Sequence, residues 1–123
     1  MKKLILAFSI LTGAGLLSCT SSKKEALNGI GCNTAGTTYS GTIQPIIQNN
    51  CLSCHSASAA SNLGSGNVLE GYSNLHAYVA NGLLLQVVNH DAGFQAMPQG
   101  TAKLDDCTIA KLQAWVDAGA PNN

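Results

Sequence analysis

Five cysteines stand in 123 residues, and two of them belong to one tight group, Cys51-Leu52-Ser53-Cys54-His55. On one turn of helix, residues i and i+3 share a face, so two thiols at this spacing can reach two points along one edge of a planar ligand. The imidazole that follows directly can then rise toward a metal at the ligand's centre. Cys-x-x-Cys-His is the attachment signature of c-type haem, in which two thioethers hold the ring and the histidine supplies the proximal ligand. Two other chemistries use the same pair of thiols. Half of a structural zinc site is one, although such a site needs four ligands at suitable spacings. A thioredoxin-like redox pair is the other, although no βαβ pattern surrounds the motif and His55 would be left without a role.

A single-haem protein commonly takes a second axial ligand from farther along the chain. Past Cys19 there is one methionine, Met97, followed by Pro98 in the segment GFQAMPQG. An isolated methionine is ordinarily a core gap-filler. Here it lies in a loop with glycine at both ends and a stiffening proline, downstream of the haem motif, which makes it the expected distal ligand. His76 and His90 are the rivals. Either would give bis-His ligation and a lower potential; otherwise each is a surface or half-buried imidazole.

The elements that must position these groups read as helices. Thr42 is the expected N-cap of a short helix through Gln48, with Pro45 tolerated in its first turn, and its isoleucines should pack on the haem or on the last helix. Residues 56–71 (SASAASNLGSGNVLEG) are low in bulk and read as a loop, around a haem edge or simply in solvent. Two short helices follow, Tyr72 to Val79 and Gly82 to Val88, the second with Leu84, Val87 and Val88 on one face, broadened by Leu83 and Leu85. The last helix has Asp105 as N-cap, Asp106 at its positive end, Leu104 placed to staple onto Ile109, and Ile109, Leu112, Trp115 and Val116 as its apolar stripe. Gly119 and Pro121 stop it. Trp115 reads as a core aromatic in preference to an electron relay. No period-2 alternation or hairpin signal occurs, so the expected fold class is all-α.

Composition narrows the function classes. Only 10% of residues are charged, and all six basic residues are lysines. Without arginine the chain lacks the side chain best suited to bidentate phosphate recognition, and nucleic acid is excluded as a partner. Apolar residues make up 46%, enough for a folded core in one domain. Met1-Lys2-Lys3 followed by the apolar run from Leu4 to Leu17 fits a signal-peptide core and is too short to span a membrane comfortably. Ending in Leu16-Leu17-Ser18-Cys19, it resembles a bacterial lipoprotein signal. That resemblance implies a signal over 1–18, lipidation of Cys19, and a tether and N-terminal segment over 19–41. It places the protein in a bacterial cell envelope, facing periplasm or exterior, anchored to the membrane and not crossing it. The chain from Cys19 onward keeps four lysines against six acids, a formal charge of −2. Subtracting the lipidated cysteine and the two in the haem motif leaves Cys32 and Cys107, an even remainder that suggests a disulfide in an oxidising compartment, with two buried reduced thiols as the alternative.

From Thr42 onward the chain resembles the small single-haem cytochrome c family, particularly its lipoprotein forms. The likeness lies in TIQPIIQNNCLSCHS, GYSNL, AMPQG and the terminal LQAWVDAGAPNN. It implies a cytochrome c-like bundle of short helices over 42–123 around one covalent haem c, attached through Cys51 and Cys54. It also implies His55 as proximal and Met97 as distal iron ligand. The implied role is electron transfer without enzymatic turnover, between respiratory partners such as a quinol-oxidising complex, a dehydrogenase or a terminal oxidase. A haem peroxidase or a gas-binding haem sensor is the alternative, and the first would need distal acid-base groups that commonly include arginine. The short Ser/Ala/Gly-rich stretch after the haem motif departs from mitochondrial-type cytochromes and leaves open which carbonyl orients His55.

Overall fold

The structure is a computed structural model, and it describes residues 31–123. The proposed signal sequence, Cys19 and most of the tether lie outside those residues. Among the described residues there are helices and no strands, in agreement with an all-α chain. None of these helices is long and apolar enough to cross a membrane.

The first helical turn starts earlier than the sequence suggested. Thr38, not Thr42, is the N-cap, its hydroxyl accepting from the Gly41 amide at 3.1 Å. A π-helical turn over Tyr39–Ile43 then runs into α1, Gln44–Asn50. Both Thr42 and Ile43 donate to the Thr38 carbonyl at 3.1 Å. Pro45 accounts for the widened turn: in a continuous α-helix its ring would press on the carbonyl four residues back. Thr42 is therefore inside a helical segment and caps nothing.

The cysteine motif follows after a kink at Cys51, where the backbone leaves helical geometry (φ −124°, ψ −37°). It forms the one-turn helix α2, Leu52–His55, closed by His55 N–H donating to the Cys51 carbonyl at 2.9 Å. The stretch expected to be wholly loop contains a further single turn, α3, Ala60–Leu63, because Ser56 caps it from below through the Ala59 and Ala60 amides. Alanine-rich sequence of this kind adopts a turn readily once its first amides are satisfied. Helices α4 (Tyr72–Ala80) and α5 (Leu83–Val88) match their expected spans closely.

The last helix, α6 (Asp106–Asp117), is capped by Asp105, which accepts from the Thr108 amide at 2.9 Å and from its hydroxyl at 2.6 Å. These bonds, the hydroxyl's first, hold the Asp105 carboxyl below its ordinary range. The helix ends in a Schellman turn: Ala120 donates to Trp115 and Gly119 to Val116, both at 2.9 Å. Gly119 supplies the left-handed residue that this turn requires (φ 89°).

Ile43 and Ile47 pack with Leu75, Leu84, Val88, Leu112 and Trp115 in one core, so the first helix docks on the last. Trp115 is fully buried, with its ring nitrogen donating to the Pro121 carbonyl at 2.9 Å. Tyr39 and Tyr72 crowd it at centroid distances of 5.9 and 6.5 Å. Trp115 is thus a core aromatic. The Cys32–Cys107 disulfide is present and joins the segment before the π turn to the first turn of α6. Closing a separation of 75 residues, it restricts the unfolded chain by an amount worth about 4 kcal/mol in the chain-entropy account.

Candidate functional site

Cys51, Cys54, His55 and Met97 line a single cleft of about 450 Å³, a volume typical of cofactor sites. The thiols and the imidazole come from α2 and its cap. Leu83, Leu84, Val87 and Val88 of α5 also line it, as do Met97, Pro98 and Leu104 of the following loop. Residues 46 apart in sequence, Cys51 and Met97, therefore face a common and largely apolar space. His76 and His90 are not among the lining residues. His76 stacks on Tyr72 at 5.3 Å, and His90 turns its Nε2 to the Met97 carbonyl at 3.0 Å.

His55 is held from behind. Its Nδ1–H donates to the Asn67 carbonyl at 2.8 Å, which fixes the tautomer and leaves Nε2 with a free lone pair for a metal. The Asn67 side chain is itself held, accepting from the Tyr78 hydroxyl at 3.1 Å. Leu69 N–H donates to the His55 carbonyl at 2.9 Å, so the loop after α3 is tied to the histidine at both backbone and ring. These partners were not visible in the sequence, because a backbone carbonyl has no residue signature.

Gly64 is the second residue that sequence reasoning passed over. A Cβ there would lie 2.6 Å from the Cys54 carbonyl oxygen and 2.8 Å from His55 Nδ1. The backbone of the loop approaches the motif too closely for any side chain. Gly64→Ala is expected to destabilise the fold by about 1–3 kcal/mol, as overpacking does, and to disturb the orientation of His55. Denaturant titration and the absorption spectrum of the haem-loaded protein measure the two effects separately; an unchanged midpoint and spectrum would mean that the loop yields freely.

Burial pushes the Cys51 thiol up to about 11. At neutral pH it is protonated, the opposite of the low-pKa thiolates used in redox motifs. Among the described residues no group of three or more His, Cys, Asp or Glu side chains is arranged to hold a bare metal ion. The residues that line the cleft are of the types that could hold haem c: two thiols on one helical turn, an oriented imidazole, a thioether, and apolar side chains. No family model, curated protein or solved structure matches the chain.

Proposed function

We propose that this protein is a membrane-tethered electron carrier with one c-type haem, held by thioethers to Cys51 and Cys54 and ligated by His55 and Met97. The observation that carries the reading is the convergence of these four side chains on one apolar cleft, with His55 oriented through Nδ1 by Asn67. The bound group would supply reversible one-electron chemistry at iron.

The chain's own residues do the rest. Cys51 and Cys54 fix the position of the ring, and the Asn67 carbonyl raises the basicity of His55 while preventing its rotation. Met97, a soft thioether, favours the reduced metal and raises the potential. Leu84, Val87 and Val88 exclude water from the face that they cover, which disfavours added charge and also raises the potential. His55 and Met97 would both hold the group from side chains of this chain, so little of the protein would need to move when an electron is gained or lost. The formal charge of −2 beyond Cys19 offers no strong steering field. Docking to respiratory redox partners would therefore rest on an apolar contact near the exposed edge of the cleft, and the lipid on Cys19 would confine those encounters to a membrane surface.

A spectroscopic redox titration of the haem-loaded protein tests the whole reading. The expected result is a single reversible one-electron transition with low-spin spectra in both states and negligible peroxidase turnover. Ready binding of CO with rapid turnover of peroxide by the intact protein would instead favour the enzyme or sensor reading.

A further inference from the structure

We propose that His90 is a positioning residue for the distal ligand: its imidazole clamps the backbone that carries Met97 to the end of α5. The inference rests on the reading of Met97 as an iron ligand. Helix α5 ends in a Schellman turn, with His90 N–H donating to the Val87 carbonyl at 3.3 Å and Asp91 N–H to the Gln86 carbonyl at 3.0 Å. That turn needs a left-handed residue, ordinarily glycine, and His90 takes the position at φ 58°. A residue with a Cβ is the less favourable occupant there.

What the histidine adds is a bond that glycine cannot make. Its Nε2 lies 3.0 Å from the Met97 carbonyl oxygen, so the Nε2–H tautomer donates to it. The Met97 amide, for its part, donates to the Val87 carbonyl at 3.0 Å. Both peptide groups of Met97 are thus fastened to the last turn of α5, and Val87 and Val88 on that turn line the same cleft as the Met97 side chain. The loop itself is bounded by Gly93 and Gly100, both at positive φ, and has little regular structure of its own. Without the His90 bond, one of the two ties that set the distance between the thioether and the cleft is lost. His90 therefore acts on iron ligation through Met97 and does not compete with it.

The test compares the haem-loaded wild type with His90→Gly and His90→Gln. Four quantities are read: covalent haem, the ferric sulfur-to-iron charge-transfer band, the rate of CO binding to the ferrous protein, and the thermal midpoint. Glycine suits the backbone, so His90→Gly is expected to fold with covalent haem and an equal or higher midpoint. Its charge-transfer band should nevertheless weaken, and CO should bind roughly five- to tenfold faster, the shift that loss of one ordinary hydrogen bond produces. Glutamine carries a donor that can reach the same carbonyl, and His90→Gln should recover the band and the slow CO binding. Wild-type band and CO kinetics in His90→Gly would overturn the proposal while leaving the electron-carrier reading intact. A wild type without covalent haem would overturn that reading and this proposal with it.

Discussion

Replacing Cys51 and Cys54 together with alanine is expected to yield a chain with no haem signal after denaturing electrophoresis, whereas the wild type should carry one haem mass per chain. The two thiols sit on the cap and the third residue of a single helical turn and line the same cleft, so each can form one thioether to one edge of the ring. Non-covalent contacts to His55, Met97 and the α5 wall do not survive denaturation; the thioethers do. Either single variant should keep one bond and therefore some covalent haem, and the double variant none. The folded state should also suffer to the extent that the proposed haem, no longer covalently held, leaves the cleft of about 450 Å³ beside the core. Thermal unfolding of the two forms measures that loss. Covalent haem retained by the double variant would sink the assignment.

The protonated state of Cys51 sharpens that experiment. A thiol pushed up to about 11 by burial is a poor thiolate at neutral pH. In the unloaded protein Cys51 should accordingly attack a disulfide slowly at neutral pH, as the rate of its own exchange measures.

The parts of the candidate site that are legible in the sequence are those marked by side-chain type and spacing. Cys51, Cys54, His55 and Met97 stand out by type and spacing, and Asp105, Leu112, Trp115 and Gly119 mark the last helix by cap, stripe and stop. What stayed hidden is the support around them. The Asn67 carbonyl that orients His55 is a group that every residue possesses, and only the fold of the loop after α3 brings that one to the ring. Gly64 is one of 13 glycines, and its role is set by a close backbone approach that leaves no local pattern. Thr38 and Thr42 are equally good caps by composition; Pro45, through the wider turn that precedes it, decides between them. His90 is visible as a histidine, but its contact with the Met97 carbonyl is not. Its place at the end of α5, where glycine is usual, is the local signal on which the proposed positioning role rests.

Substitution of Met97 should have the largest effect on function. With the thioether removed in Met97→Ala, the sulfur-to-iron charge-transfer band of the ferric protein should vanish. The reduction potential should fall by on the order of 0.1–0.3 V, a fraction of the ~0.8 V span that axial ligands command. The direction follows from ligand softness: thioether sulfur stabilises the reduced metal more than water or a vacant position does. The opened face should then bind CO and turn over peroxide, which the wild type should do poorly. Met97→His should close the coordination sphere again while leaving the potential low, because imidazole stabilises the oxidised metal better than sulfur. The geometry sets the controls. His76 stacks on Tyr72, away from the cleft lining, so His76→Ala should leave band and potential near wild-type values. His90→Ala should weaken the band without abolishing it, since His90 touches the Met97 carbonyl and not the cleft. A wild type that lacks the band, with a potential unaltered in Met97→Ala and shifted in His76→Ala or His90→Ala, would transfer the distal position to a histidine. The fold would then have to swing that imidazole out of its present contact and into the space that Met97 now faces.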